Sequence, residues 1–221
     1  MSGWFENIVW QDIAIATRDT LVMLGGSLTL SIALGLPLGV LLYLTSEGKL
    51  AQNKLVNRLL GIGVNLLRSI PFIILLILMI PLTVLLIGTS LGVAGAIPPL
   101  VVGAAPFYAR LVETALREVD RTTIEAVQAM GATPLQTVTG ALIPEAMPGL
   151  ISGATVTAVA LVSSTAMAGV VGAGGLGDLA IRFGYQRFQT DVMIVTVALL
   201  VLLVQLIQAG GDALVRHYSR R

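Results

Sequence analysis

Long apolar runs separated by short polar stretches set the plan of the chain. Thr20 to Ser46 carries no charged residue, nor do Ser69 to Ala109, Met147 to Gly177 or Val192 to Gly211. About 20 consecutive apolar residues cross a bilayer as a helix, so each run is long enough to span. The run from Ser69 is too long for one helix. It is interrupted at Pro81, Gly88, Gly92 and Pro98-Pro99, and is expected to break into two spans joined by an uncharged loop near 84–95. The pattern predicts an all-α integral membrane protein of about five transmembrane helices, near 20–45, 60–83, 93–117, 147–171 and 191–211. Residues 1–17 read as an N-terminal interfacial segment, with Trp4 and Trp10 at headgroup depth and Phe5, Ile8 and Ile15 set against Glu6 and Asp12. They lack the basic start and long apolar core of a signal peptide. Residues 18–212 form the membrane domain, and 213–221 a basic tail with Arg216, His217, Arg220 and Arg221.

Small residues mark where helices meet. In lipid there is no hydrophobic drive between helices, so close approach does the work. Gly35 and Gly39 flank Pro37 at the spacing that permits it, and the proline is expected to bend the helix. Gly149, Ser152, Gly153, Ala154, Thr155, Thr157 and Ala158 crowd the start of the fourth span. The hydroxyls of Thr155, Thr157, Ser163, Ser164 and Thr165 either line a passage or bond back to their own helix. Arg68 has two readings. If a helix starts near Arg58, Arg68 lies within the membrane and faces a polar pathway; if residues 50–67 are interfacial, it marks the cytoplasmic end. Gly172-x-Gly174-x-x-Gly177 formally fits a dinucleotide fingerprint, but a membrane-length segment precedes it and no βαβ unit surrounds it. Those glycines instead unwind a helix end, and Asp178 to Asp191 is expected to be a short charged loop with Phe183, Tyr185 and Phe188 at interface depth.

The polar interruption from about Arg110 to Pro148 carries helix punctuation. Thr122-x-x-Glu125 fits a capping box, in which the threonine oxygen accepts an orphan N–H and the glutamate reaches back to the cap. Gly131 suits the left-handed position that ends a helix. Thr133 then caps a second helix, Pro134 fits its first position and Gln136 completes a second box. Pro144 and Pro148 are expected to stop it. Residues 118–146 thus read as a helix-turn-helix, either a well-capped connection or a surface offered to a partner.

Composition narrows the class. Of 221 residues, 56% are hydrophobic and 11% charged, against roughly 25% charged in soluble domains. The mean hydropathy is +0.92. A net charge of +1 gives no electrostatic footprint for nucleic acid. With no cysteine and the single His217, thiolate sites, multi-histidine metal sites and histidine triads are excluded. No cofactor, metal or catalytic residue is expected. Five spans place Lys49, Lys54, Arg58, Arg110, Arg117, Arg121, Arg216, Arg220 and Arg221 on one side, and Arg18, Arg182 and Arg187 on the other. The positive-inside rule then puts the N-terminus outside, with the helix-turn-helix and C-terminus in the cytoplasm. Neither lysine follows a P-loop pattern, and no carboxylate lies deep in a span, so neither ATP hydrolysis nor proton coupling is evident. If the chain pumps, its energy arrives through a partner.

Glu125-Ala126-Val127-x-x-x-Gly131 followed by Ile143-Pro144 resembles the cytoplasmic loop of ABC importer permeases. That family's pattern is E-A-A, three residues, G, nine residues, I-x-L-P. Val127, Ala141 and Ile143 depart from it, whereas Glu125, Ala126, Gly131 and Pro144 match. Arg68-Ser-Ile-Pro-Phe-Ile-Ile-Leu-Leu75, Val102-Gly-Ala-Ala-Pro-Phe107, Ala129-Met-Gly-Ala-Thr-Pro134 and Val171-Gly-Ala-Gly-Gly-Leu-Gly177 resemble the methionine importer permeases, so the likeness covers the chain from about residue 18. It implies a non-catalytic permease in a bacterial inner membrane. Its partners would be a second copy of itself, two cytoplasmic ABC ATPase subunits and an extracytoplasmic methionine-binding protein. Glu125, Ala126, Ala129, Gly131, Ala132, Thr133 and Pro134 would couple to the ATPase, and Arg68, Ser163, Ser164 and Met167 would line the substrate pathway. The same architecture also suits another small amino acid or a quaternary amine. A stand-alone channel or secondary carrier, or a non-transporting assembly subunit, is the reading from a different class.

Overall fold

A computed structural model describes residues 8–219, and every regular element among the described residues is helical. The expectations for Trp4, Phe5, Glu6, Arg220 and Arg221 lie outside the described residues. Helix α1 (Trp10–Thr45) has Asp12 in its first turn, where a negative charge meets the positive end of the dipole. Nothing between Trp10 and Thr20 breaks a helix, so the stretch expected at the interface is continuous with the span. Asn53 then caps α2 (Lys54–Ser69), its side-chain oxygen accepting from the Leu55 and Val56 N–H groups at 3.1 Å.

The span expected over 60–83 is not one rod. Helix α2 stops before Pro71, and α3 (Phe72–Leu78) leaves at 103° to it. Pro71 lacks an N–H and drives Ile70 into extended backbone, which produces the elbow. Helix α4 (Ile80–Ile87) follows with Pro81 in its first turn, and Gly88 at φ +86° ends it. The expected loop shrinks to residues 88–91. Helix α5 (Gly92–Arg117) contains Pro98, Pro99 and Pro106, so the paired prolines lie inside a span rather than breaking one. Among the described residues, four helices are long and apolar enough to cross a membrane, or five when α2 and α3 count as one broken span.

Beyond α5 come α6 (Arg121–Ala129) and α7 (Pro134–Thr137). The prolines expected to stop the second helix do not. A π-helical segment, Val138–Leu142, carries α7 straight into α8 (Ile143–Gly169). The wider π turn precedes Pro144 and takes up the disturbance made by a residue that cannot donate to the helix ladder. Gly172, Gly174 and Gly175 all have positive φ and reverse the chain into α9 (Gly175–Leu179). A second π segment, Ala180–Tyr185, continues it, so most of the expected charged loop is helical. Helix α10 (Thr190–Tyr218) runs on through Arg216 and His217.

Packing follows the small residues. Ser27, Ser31, Gly35 and Gly39 form one buried stripe on α1. A β-carbon at Gly35 would sit 2.7 Å from the Ala105 carbonyl oxygen, and one at Gly39 would sit 2.6 Å from the Val112 β-carbon. Those glycines therefore let α1 lie against the α5 backbone, where dispersion rather than water exclusion holds the pair. Gly149 and Gly153 bring α8 against Ala115, Leu111 and Tyr108 of α5 in the same way. Two cores result. One gathers Met23, Leu76, Leu100 and Leu161 near the glycine turn; the other gathers Tyr43, Leu116, Ile124 and Leu142 beneath α6.

Candidate functional site

Two places bring unusual chemistry together: the corner between α6 and α7, and a cavity at the α2–α3 elbow. At the corner, the first cap differs from expectation. Asp120, not Thr122, is the N-cap of α6, its carboxylate accepting from the Thr122 N–H at 2.9 Å. Asp120 has the non-helical backbone (ψ 128°) that a cap residue needs, and Thr122 already lies inside the helix. Hydrogen bonds from the Thr122 backbone and side chain hold the Asp120 carboxyl below the usual carboxylate range. Glu125 is left to pair with Arg121 one turn earlier, at 2.8 Å. Both are exposed, so the pair adds little stability.

The end of α6 is a Schellman turn. Gly131 at φ +86° donates its N–H to the Gln128 carbonyl at 2.9 Å, and the Ala132 N–H reaches the Val127 carbonyl at 3.4 Å. Thr133 then opens α7 with the expected capping box: its oxygen accepts from the Gln136 N–H at 3.3 Å, while the Gln136 side chain accepts from the Thr133 N–H at 2.8 Å. The corner faces outward. Glu125, Ala126, Ala129, Gly131, Thr133 and Pro134 are exposed, and Ala132 is half-buried. Sequence reasoning missed three apolar residues. Met130 and Leu135 flank the turn at 80% and 72% exposure, and Ile124 is buried as the anchor of α6. The available signal was two large apolar side chains beside a left-handed glycine in a polar stretch. Behind α6 the α1–α2 connection closes in, with the Lys49 ammonium 4.6 Å from the centre of the Tyr43 ring.

The cavity, of about 310 Å³, opens where α2, α3, α5 and α8 converge. Arg68 from α2, Phe72 and Leu75 from α3, Phe107 from α5 and Ser164 from α8 are among its walls. Arg68 is exposed, its guanidinium carbon 5.9 Å from the centre of the Phe107 ring. No ion pair or hydrogen bond reaches it among the described residues. The pathway residues therefore divide. Arg68 and Ser164 meet in the cavity, whereas Ser163 and Met167 lie exposed on another side of α8. Most of the hydroxyls bond back to their own helix: Thr155 to Ile151, Thr157 to Gly153, Ser164 to Ala160 and Thr165 to Val162.

A strut ties α5 to α2. Glu113 is buried on α5 and takes Arg110 and Arg117 at 2.6 Å each. Arg110 also donates to the Asn65 side-chain oxygen on α2 at 3.1 Å. The sequence put these charges in the polar interruption; they lie on the C-terminal turns of α5 and brace it against α2.

The profile described as "Binding-protein-dependent transport system inner membrane component" matches residues 35–221. The chain is 50% identical over 206 residues to a probable D-methionine transport system permease protein of Vibrio cholerae, covering 93% of this chain and 92% of that one. It is 49% identical over 218 residues to a methionine import system permease protein of Bacillus subtilis, covering 99% and 98% respectively. Among solved structures, an inward-facing MetNI methionine ABC transporter contains a chain that superposes with a TM-score of 0.94 at 48% identity, covering 96% of this chain and 98% of that one. A crystal structure of an amino acid ABC transporter with histidines shares the fold, with a TM-score of 0.79 at 15% identity over 98% and 99% of the two chains.

Proposed function

The chain belongs to the binding-protein-dependent transport system inner membrane components, and from that premise we propose that it is the membrane subunit of an ATP-driven importer of methionine. It is a multi-pass protein of the inner membrane. Two copies work with two ABC ATPase subunits, and an extracytoplasmic binding protein delivers the amino acid. The chain itself catalyses nothing; ATP hydrolysis belongs to the ATPase.

The observation that carries the mechanism is the outward-facing corner at Gly131. A short helix capped at both ends, with Met130 and Leu135 exposed beside a fixed turn, is a rigid knob suited to a cleft in a partner. Glu125, Ala126, Ala129, Gly131, Ala132, Thr133 and Pro134 form this coupling surface, within residues 118–146. Small side chains at Ala126 and Ala129 keep its helix thin enough to enter. The corner lies in the cytoplasm, with the N-terminus outside and the C-terminus inside; the excess of basic residues on the corner's side supports this orientation. Because α7 continues into α8 without a break, a push on the corner tilts a helix that crosses the membrane. ATP drives that motion only through its different affinity for the two states, and rigid-body rocking then alternates access. Arg68 and Ser164 line the passage, with Ser163 and Met167 on the neighbouring side of α8.

The test is uptake in proteoliposomes. Methionine accumulation should require the permease, the ATPase, the binding protein and ATP together. Uptake by the permease alone down a gradient would make it a carrier or channel instead.

A further inference from the structure

We propose that the cavity at the α2–α3 elbow is a binding site for a zwitterionic amino acid with an apolar side chain, and that Arg68 anchors its α-carboxylate. This rests on the import reading and adds where the cargo pauses within the membrane subunit.

Three features of the cavity match three parts of one ligand. The first is charge. Arg68 is the single ionisable residue among the lining side chains, and it has no acceptor of its own among the described residues. It sits beside Phe107, well inside the length of α5. A guanidinium beside an aromatic ring with no acceptor of its own has its donors free, and a carboxylate matches that fork with two parallel hydrogen bonds. The second is the hydroxyl of Ser164. Its proton is already given to the Ala160 carbonyl at 3.2 Å, so only lone pairs remain. An ammonium group is all donor and suits that remainder. The third is the apolar wall formed by Phe72, Leu75, Phe107 and Leu161. It suits an aliphatic or thioether side chain, and sulfur gains further from aromatic edges.

Size and placement agree. A volume of about 310 Å³ is near the small end of ligand pockets, which run from about 300 to 1,000 Å³. That admits one amino acid rather than a peptide. Gly103 leaves the space open, since a β-carbon there would already meet Leu75 and Phe72 at 3.4 and 3.5 Å. The walls also come from both sides of the 103° bend. Rocking α2 against α3 therefore changes the site, which gives the two access states different affinities for the cargo.

The experiment measures equilibrium binding of radiolabelled L-methionine to the permease–ATPase complex in phosphatidylcholine nanodiscs, without the binding protein. The ATPase subunits alone serve as the blank. The natural chain should bind saturably, and methioninol, which lacks the carboxylate, should not compete. Arg68→Gln should weaken binding by about ten- to a hundredfold, the loss of a charge-assisted hydrogen bond, with Arg68→Lys between. Gly103→Val, which keeps the arginine and fills space, should weaken it too. Should Arg68→Gln fail to assemble with the ATPase, the methioninol arm on the natural chain decides alone. Absence of saturable binding, unchanged binding by Arg68→Gln, or equal competition by methioninol overturns the site; the last would leave Arg68 to a lipid phosphate. A natural complex that imports methionine with its binding protein but shows no binding here loses this site and keeps the import reading. One that fails to import loses both.

Discussion

The corner at Gly131 and the cavity at Arg68 are built in opposite ways. At the corner every decisive bond is local: Asp120 to Thr122, Ala132 to Val127, Gln136 to Thr133. At the cavity the walls come from four helices, and residues as distant as Arg68, Phe107 and Ser164 converge. The corner keeps its shape whatever the spans do, as a lever's grip must. The cavity takes its shape from how the helices lean on one another. A corner built from local bonds and a cavity built from distant residues thus share one helical framework, in which the Glu113 strut ties α5 to α2.

Breaking the strut should have the largest effect. Glu113→Ala leaves Arg110 and Arg117 facing each other without their shared carboxylate and frees Asn65 from a braced partner. A loss of about 2 kcal/mol, the scale of charge-assisted hydrogen bonds with partly exposed arginines, should appear as a lower unfolding midpoint for the complex in detergent. An unchanged midpoint would mean that the charge cluster does not brace α5 against α2.

Next comes the turn itself. Gly131→Val places a β-branched residue at φ +86°, which costs about 1–2 kcal/mol. Space is not the obstacle, because a β-carbon there would meet nothing within 4 Å. Gly131→Asn, which tolerates this backbone, should therefore keep uptake while Gly131→Val loses it with assembly intact. Equal failure of both would show that the partner, rather than the backbone, forbids a side chain.

Smaller still is the second cap. Thr133→Ala should cost about 1 kcal/mol and Thr133→Ser almost nothing, read from hydrogen exchange of the amides over 134–137. The least effect should come from pH. Hydrogen bonding lowers the folded Asp120 pKa, so its cap stabilises above the ordinary carboxylate range and is lost as pH falls through the depressed value. Exchange of the α6 amides should speed up only at acid pH, and Asp120→Asn should remove that dependence.

What the sequence disclosed follows the same division. Local signals were legible: Gly131 at a helix end, the Thr133–Gln136 box, the glycines before Leu176 and the all-helical class. Errors arose where two local signals competed or a distant one intervened. Thr122 suits a cap by residue type, but the backbone angle gives that place to Asp120. Pro144 reads as a stop until a π turn is allowed to absorb it. Asp178 and Arg182 look like a loop, yet they pair at 2.8 Å along a helical turn. The elbow was the deepest omission. Pro71 marked it, but a 103° bend depends on what α3 packs against, and no periodicity in one strand of sequence records that.

The chain has no cysteine, so Met130→Cys gives a unique probe at the tip of the corner. In membranes holding the whole complex, that cysteine should cross-link to the ATPase with a yield that changes on adding ATP, and a membrane-impermeant maleimide should not reach it from outside intact cells. Labelling from outside, or no nucleotide-dependent cross-link, would contradict the account of a membrane subunit driven from the cytoplasm at Gly131.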